Sequence, residues 1–377
     1  MKYSRFLIYT IASCVIVYSL YSLFKIITTT APDFSVYYQS AQNLISGRNM
    51  YTDQTLYTSF AYPPVTAFLY IPLTIFPYSV AQGIFSCVSY GLLYGVVFVC
   101  FKLFHTKVST LVYTVAMTLS LLSFPVKFTF GMGQINIIAL FFLLCGIYIF
   151  LRKRQGVGSL LVAMSMLLKP QLVVILLVIL LCKKINFFTR VSLWILGISI
   201  VETLCFGIAP WMHYLSYKIP ETMRFTSDIA IYYNQGFLAF AGRIMQGNGV
   251  LLYIALSVIA VLLYGISMKH IMLADDRDNK FIQCIVLALP LMLLIEPLSW
   301  QHHYVFLIPS LFWVCTQTKK NVVHTVVVAL IYIGVSINLQ PFIRTYTNIF
   351  LLSHVGLATC ILYGTLIGIL WKKHYDV

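Results

Sequence analysis

Residues 249–268 read GVLLYIALSVIAVLLYGISM, a run of 20 residues without a charged side chain. A helix rises about 1.5 Å per residue, so this run is long enough to cross the roughly 30 Å of hydrocarbon in a bilayer. Lys269 follows directly, as basic residues often do at the cytoplasmic end of a span. The stretch therefore predicts a transmembrane helix.

The composition of the whole chain agrees with that prediction. Of the 377 residues, 60% are hydrophobic and 9% are charged, with a mean hydropathy of +0.90. Soluble domains contain about 25% charged residues, and no polar stretch here is long enough to form a soluble domain. The net charge of +15 comes from short basic clusters between apolar segments, which is typical of topology signals and argues against a nucleic-acid partner. The nine cysteines are scattered without metal-ligand spacing, so neither disulfides nor a zinc site are expected.

Further apolar segments extend the pattern along the chain. The other predicted spans are about 6–27, 79–101, 108–124, 135–151, 191–209, 281–297, 304–317, 322–338 and 349–371. A shorter segment, 64–76, is predicted to be interfacial or re-entrant. The alternative for the first run is a cleaved signal peptide, but its length favours an uncleaved span.

Basic residues are about twice as frequent on one predicted side of the membrane as on the other. This bias predicts a single transmembrane domain, 1–377, with about twelve membrane segments and both termini in the cytoplasm. The expected location is the plasma membrane, as a multi-pass protein. Two long polar segments, about 28–63 and 210–248, are then external, and the 269–280 loop is internal.

The apolar stretch 156–182 is interrupted by Lys169-Pro170 and has basic clusters at both ends. Each half is too short to cross the hydrocarbon, which favours two short helices with Lys169 at their tip; a single proline-kinked span is the alternative. A lysine facing lipid costs roughly 2.5–3.5 kcal/mol. Lys169 is therefore expected to pair with Glu202 or Glu296, or with an anionic ligand.

The external segment after the first span contains DFSVYYQSAQNLISG, beginning at Asp33. Its apolar residues recur at helical spacing and predict a short amphipathic helix on the membrane surface. Those residues are Phe34, Tyr37, Tyr38, Ala41 and Leu44. Asp33 fits a helix N-cap, and a carboxylate at the membrane surface also fits a general base.

A glycine-rich motif, FGMGQINII, occupies residues 130–138 at the predicted outer start of a span. It predicts a tight turn in which Gln134 and Asn136 cap a helix, with phosphate binding as the alternative. The amphipathic run YYNQGFLAFAGRI, residues 232–244, carries Arg243, whose simplest interpretation is a solvated arginine with its stem on apolar surface.

The motif SWQHHYVF, residues 299–306, lies at another predicted outer boundary. Trp300 is an ordinary interfacial residue there. The adjacent His302 and His303 lack the i, i+4 spacing of a helical metal pair, so phosphate contact is the favoured functional interpretation.

These segments, in this order, resemble glycosyltransferase family 87, the polyprenol-phosphate-mannose-dependent mannosyltransferases with the GT-C membrane fold. The resemblance covers about residues 30–315. The segments that carry it are DFSVYYQSAQNLISGRNMY (33–51), FAYPPVTAFLYIPL (60–73), GMGQINII (131–138), LLKPQL (167–172), YNQGFLAFAGRI (233–244) and SWQHHYVFLIPSL (299–311). The family often has serine after its Asn-Gln pair, where this chain has Gly236 and therefore lacks that hydroxyl.

The resemblance implies an all-α, GT-C-like enzyme that transfers a sugar, expected to be mannose, on the external face. The expected partners are a polyprenyl-phosphate sugar donor, a glycolipid or glycan acceptor and the lipid bilayer; no metal or other cofactor is expected. It implies that Asp33 acts as the general base. The residues matched to the donor phosphate are Lys169, Arg243, His302 and His303. Those matched to substrate binding are Tyr37, Tyr62, Gln134, Asn136, Asn234, Gln235 and Trp300.

Two other classes of protein share parts of this pattern. A transporter or lipid-linked sugar flippase also has many spans and broken helices, but it should show an internal repeat of spans, and none is found. A non-catalytic membrane scaffold would tolerate loss of Asp33. The acceptor, the linkage and the oligomeric state are not specified by the sequence.

Overall fold

The structure of the chain is a computed structural model. The residues that it describes are 2–51, 60–106, 109–223, 230–246, 249–273, 277–317, 322–343 and 348–375. Asp53 and Asp228, acidic residues of the two long polar segments, lie outside these ranges.

Helices make up nearly all of the described chain, and within those ranges there is no β-strand beyond one isolated bridge. The α-helices are α1 (Lys2–Thr28), α2 (Pro32–Ile45), α3 (Pro64–Tyr70), α4 (Tyr78–Leu103), α5 (Thr110–Leu122), α6 (Phe124–Met132), α7 (Asn136–Leu151), α8 (Gln155–Leu168), α9 (Val174–Leu181), α10 (Ile185–Phe206), α11 (Ala209–His213), α12 (Ile219–Met223), α13 (Phe237–Ile244), α14 (Val250–Leu273), α15 (Arg277–Ile295), α16 (Ile308–Gln317), α17 (Val322–Ser336), α18 (Gln340–Ile343), α19 (Ile349–Leu352) and α20 (His354–Tyr375). Three short 3-10 helices, Ile71–Ile75, Pro170–Val173 and Gln301–Leu307, and a π-helical turn, Tyr214–Lys218, complete the described elements.

The all-α class and the membrane assignment are confirmed. Four helices of the described chain, α4, α10, α14 and α20, are long and apolar enough to cross a membrane, or up to six if each of two bent pairs forms one span. The bent pairs are α1 with α2, at 49°, and α5 with α6, at 61°. The protein is thus an integral membrane protein. The count of about twelve segments stays a prediction.

The chain divides into two compact units. The first contains Met1–Leu122, Val126–Pro170 and Thr189–Arg224, and the second contains Ser123–Pro125, Gln171–Phe188 and Phe225–Val377. The prediction of a single domain stays a prediction.

In the first unit, α4 packs on α7, and α7 packs on α8. The α7–α8 contact is close because both helices present glycine: a Cβ at Gly146 would lie 2.8 Å from the backbone oxygen of Gly158. Small residues of this kind let helix backbones approach in membranes. The basic cluster between the helices forms a tight turn in which Lys153 has a φ of 66°.

The amphipathic helix predicted after the first span is confirmed as α2. Its apolar face contacts protein rather than lipid, because it packs on α3 and α4. The ring of Phe34 lies 4.8 Å from that of Phe85, and the ring of Tyr37 lies 5.0 Å from that of Tyr70. Gln82 of α4 secures the bend before α2, donating to the carbonyl of Thr29 at 2.7 Å.

In the second unit, α15 is surrounded by α9, α14, α16 and α20, and its apolar residues are almost entirely buried. Helices α17 and α20 also pack together, with a Cβ at Gly334 placed 2.8 Å from that of Ala358. Apolar residues therefore face inward on α15, while few residues of α14 are buried, as in a lipid-facing helix.

The predicted break in the stretch 156–182 is confirmed. Helix α8 ends before Lys169, whose φ and ψ of −139° and 89° are not helical, and Pro170 starts a 3-10 turn before α9. Each half is short, as expected. The choice between a hairpin and a kinked span stays open, because α8 and α9 belong to different units.

Candidate active site

A polar cluster lies among apolar and aromatic side chains of the first unit. We call it the Asp33 cluster; its members are Asp33, Tyr37, Tyr62, Gln134 and Lys169. All five are residues that the sequence singled out as catalytic, phosphate-binding or substrate-binding.

Asp33 lies in the first turn of α2 and does not cap it. Pro32 occupies the first helical position, which suits proline, and this moves the N-cap back to Ala31. The capping interpretation of Asp33 is therefore wrong. A carboxylate in the first turn is still stabilised by the positive end of the helix dipole, and its side chain is only partly buried.

Gln134 reaches Asp33 because of Gly133. This glycine has a φ of 67°, and a Cβ on it would lie 2.7 Å from the Cβ atoms of both Ala31 and Phe34. Only glycine fits such a close approach at positive φ. The predicted turn is thus confirmed, but the predicted cap is not: the N-cap of α7 is Ile135 and no side chain caps it.

The side-chain amide of Gln134 joins the two charged members of the cluster. Its nitrogen donates to Oδ2 of Asp33 at 2.5 Å, and its oxygen accepts from the Tyr37 hydroxyl at 2.8 Å. Nζ of Lys169 lies 3.5 Å from the same oxygen. Gln134 therefore orients the Asp33 carboxylate and lies between it and the Lys169 ammonium group.

Lys169 is buried, with 1% of its surface exposed. Nζ donates to the Tyr62 hydroxyl at 2.9 Å and lies 5.2 Å from the centre of that ring. Among the two proposed acidic partners, Glu202 is bonded instead to the indole of Trp211 at 2.6 Å. The carboxylate of the first unit on which the Lys169 charge acts is that of Asp33.

Burial raises the pKa of the Asp33 carboxyl above its ordinary value of 3.8. The hydrogen bond from Gln134 and the positive charge of Lys169 act in the opposite direction. A carboxylate with a raised pKa is a stronger base than one in water, and general bases work best when their pKa approaches the operating pH. The cluster can therefore accept a proton at Asp33 while holding a fixed positive charge nearby.

Tyr70 was missed by the sequence analysis. It is buried against Tyr37, and its hydroxyl has no hydrogen-bond partner within the described part of the chain. The available signal was its place in FAYPPVTAFLYIPL, one of the segments that carry the family resemblance.

The Asn-Gln pair of the second unit is built into the backbone. Asn234 and Trp300 form an isolated antiparallel bridge, and beside it the Gln235 N–H donates to the carbonyl of Ser299 at 2.8 Å. The amide of Asn234 donates to the carbonyl of Pro297 at 2.9 Å, and that of Gln235 donates to Leu352 at 2.8 Å. Both amides are buried and hold the chain in place; their role in substrate binding stays a prediction.

Arg243 is not a solvated side chain, since 9% of its surface is exposed. Its guanidinium donates to the carbonyls of Ala230, Ile231 and Asn234 and, at 2.8 Å, to the hydroxyl of Ser353. Burial lowers the pKa of Arg243 to about 10, so it remains charged at neutral pH. This geometry organises the segment before α13, while phosphate binding by Arg243 stays a prediction.

His302 and His303 are both buried in the 3-10 helix of the second unit. Nδ1 of His303 lies 3.3 Å from the Glu296 carboxylate, which also accepts from the amide of Gln171 at 3.3 Å. The ring of His302 stacks on Trp300, with 5° between their planes. A histidine–carboxylate pair can hold or release a proton; donor contact by either histidine stays a prediction.

The packing around Gly236 explains why this chain has glycine where the family often has serine. A Cβ there would lie 2.6 Å from the carbonyl oxygen of Glu296, so no side chain fits without movement.

Asn136 is fully buried at the first residue of α7, and its role in binding stays a prediction. Within the described ranges, no three His, Cys, Asp or Glu side chains are grouped so as to hold a metal ion.

Comparison with known proteins places the chain in a family. Residues 60–297, more than half of the chain, match glycosyltransferase family 87. The chain therefore belongs to glycosyltransferase family 87. No solved structure was found to match it.

Two relatives carry the same name, polyprenol-phosphate-mannose-dependent alpha-(1-2)-phosphatidylinositol pentamannoside mannosyltransferase. The protein of Mycolicibacterium smegmatis is 28% identical over 277 residues, which is 70% of this chain and 63% of that protein. The protein of Mycobacterium tuberculosis is 27% identical over 274 residues, which is 70% of this chain and 60% of that protein. The matched region thus spans less than two thirds of each relative.

Proposed function

We propose that this chain transfers a mannosyl group from a polyprenyl-phosphate donor to a hydroxyl group of a glycolipid or glycan acceptor. The observation that carries the proposal is the Asp33 cluster, in which a carboxylate of raised pKa and a buried ammonium group contact the same glutamine amide. Membership of glycosyltransferase family 87 and the names of the two relatives support the same activity.

Asp33 is the proposed general base. The acceptor oxygen attacks C1 of the mannosyl group while the bond from C1 to the phosphate oxygen breaks. The proton of the acceptor hydroxyl moves to Asp33, and the electron pair of the broken bond leaves with the polyprenyl phosphate. A sugar hydroxyl is a poor nucleophile at neutral pH, and a positioned base contributes about 10²–10⁴-fold to such a step.

Lys169 is the proposed contact to the donor phosphate. The leaving group changes from a phosphodiester to a phosphate monoester, so negative charge grows on it during the reaction. A fixed cation stabilises that charge more in the transition state than in the ground state. The buried position of Lys169 strengthens this effect, because charges interact more strongly where water is excluded.

The fold and topology proposed with this activity are those of a GT-C-like protein of about twelve segments, with cytoplasmic termini and an external site. Arg48 and Asn279 are both exposed. Arg48 falls in the segment predicted to be external, and Asn279 falls in the loop predicted to be internal. In a cysteine-free variant, Arg48→Cys should react with an impermeant thiol reagent in intact cells and Asn279→Cys should not. The reverse labelling would contradict the external site.

The activity is tested by reconstituting the purified chain in lipid nanodiscs with polyprenyl-phosphate [¹⁴C]mannose and a panel of glycolipid acceptors. We expect label in the acceptor and release of polyprenyl phosphate in equal amounts. Movement of the donor between the leaflets of proteoliposomes, without any labelled product, would favour the transporter alternative.

A further inference from the structure

A second polar cluster lies in the first unit, around Glu202. This residue is fully buried near the end of α10. One carboxylate oxygen accepts from the Trp211 indole N–H at 2.6 Å and lies 3.5 Å from the Thr203 hydroxyl. The other oxygen, Oε1, is buried without a hydrogen-bond partner within the described chain. Leaving a charged group's oxygen unpaired is costly, so it marks a place where a ligand atom would be favoured.

A second unpaired polar atom belongs to His213, two residues after Trp211 in the chain. The Asn49 side-chain oxygen accepts the backbone N–H of Tyr51 at 2.9 Å, so its amide nitrogen is the atom 3.3 Å from Nδ1 of His213. Nδ1 therefore accepts this hydrogen bond, which places a ring N–H on Nε2. That Nε2 is buried and has no partner in the described chain.

Aromatic rings pack around His213, and one of them, Tyr51, is also within electrostatic reach of Glu202. Tyr51 stacks on His213 with 5.4 Å between ring centres and 12° between planes, and Tyr214 lies 6.0 Å from Tyr51. The ring of Tyr217 lies 5.0 Å from His213, and 54% of its surface is exposed. Flat aromatic surfaces beside polar groups suit ligands that have one apolar face and a polar edge, as a pyranose ring has.

The two clusters of the first unit are joined through Tyr51. Its hydroxyl donates to the backbone carbonyl of Tyr62 at 3.0 Å, and the side chain of Tyr62 accepts from Lys169. Burial, Tyr214 and Glu202 together raise the pKa of Tyr51, so it stays a protonated donor. The surroundings of Glu202 are therefore linked to the proposed donor-phosphate contact through Tyr51 and Tyr62.

We infer that Glu202, His213 and the rings of Tyr51 and Trp211 bind a pyranose unit of the acceptor. A pair of neighbouring hydroxyl groups on that sugar would donate to Oε1 of Glu202 and accept from Nε2 of His213. That the sugar belongs to the acceptor substrate rests on the proposed function. The choice of a sugar diol rests on the hydrogen-bond acceptor Oε1 of Glu202 and the hydrogen-bond donor Nε2 of His213.

The test uses the full chain in nanodiscs and two conservative variants. Glu202→Gln keeps an acceptor for the Trp211 indole, and His213→Phe keeps a ring against Tyr51. Glu221→Gln is the matched control, because Glu221 lies in the same part of the chain and is paired with Lys218. Initial rates are measured against octyl α-D-mannopyranoside and against the donor. Binding of methyl α-D-mannopyranoside is measured separately by saturation-transfer NMR.

Each variant should raise the KM for octyl mannoside by about 10- to 100-fold, the range for a lost hydrogen bond to a charged group. The KM for donor and the donor hydrolysis without acceptor should stay at the wild-type values, and the NMR signal of methyl mannoside should disappear. Folded variants with wild-type acceptor KM and NMR signal would overturn the inference while leaving the proposed function intact. Glu202-dependent mannoside binding by a chain that transfers no sugar would overturn the proposed function and support the site.

Discussion

Replacing Lys169 with methionine is expected to raise the pKa of Asp33 as well as weaken donor binding. The hydrogen-bond distances of 2.5 and 3.5 Å on the two sides of the Gln134 amide place Nζ about 6–8 Å from the carboxylate. At an effective dielectric of about 20, unit charges at that distance interact by about 2–3 kcal/mol. Solvent screens part of this interaction at a partly exposed carboxylate, and loss of the remainder should raise the pKa of Asp33 further above its ordinary value.

The assay is the pH dependence of kcat/KM for acceptor at saturating donor. Asp33 must be deprotonated to act as a base, so activity falls as the pH drops through its pKa. A higher pKa therefore moves the acidic limb of the profile to higher pH in Lys169→Met. Lys218→Met, which removes another buried lysine of the same unit, should leave the limb in place. An unchanged acidic limb in a folded Lys169→Met protein would refute the electrostatic link between the two residues.

Three further predictions concern the close packing at Gly133, the close packing at Gly236 and the hydrogen bonds of Arg243. Gly133→Ala should lower the free energy of unfolding by about 1–3 kcal/mol and abolish transfer, because its Cβ would lie 2.7 Å from the Cβ atoms of Ala31 and Phe34. The control is Gly131→Ala, where a Cβ meets nothing. It should keep the wild-type stability in thermal unfolding and the wild-type rate in the transfer assay. Gly236→Ser should lower the melting temperature, because its Cβ would lie 2.6 Å from a carbonyl oxygen, and a wild-type melting curve would contradict this packing. Arg243→Met should destabilise the protein by about 2–4 kcal/mol through the loss of several hydrogen bonds to a charged group, and Ser353→Ala by about 1 kcal/mol; a stable Arg243→Met protein with weaker donor binding would instead favour direct phosphate contact.

The sequence allowed most of the helices and the two charged members of the Asp33 cluster, Asp33 and Lys169, to be predicted. Apolar runs with charged flanks identify spans, and Pro32 and Pro170 mark where α2 begins and where α8 has ended. Helix α6 was missed: the predicted span of about 108–124 ends near the bend after α5, and the short helix Phe124–Met132 beyond it was not predicted. The cap at Asp33 was wrong because a proline in the first turn shifts the N-cap by a residue or more.

The contacts of Gln134 and Arg243 were beyond prediction for a physical reason. Gln134 meets Asp33 only because Gly133 lies against the first turn of α2, about a hundred residues away in the chain. The partners of Arg243 are backbone carbonyls, which every residue has, so no side-chain pattern reveals them. Hydrogen bonds of this kind depend on tertiary approach, which periodicity and composition do not encode.

The central claim, that Asp33 is the base, is tested most directly by Asp33→Asn in the reconstituted transfer assay. Asparagine keeps the size of the side chain and an oxygen that can accept the hydrogen bond from Gln134, so the variant should fold and bind polyprenyl-phosphate-mannose as the wild type does. Transfer should fall by at least about a hundredfold, while Glu221→Gln stays active. Near-normal transfer by a folded Asp33→Asn protein with intact donor binding would contradict the account.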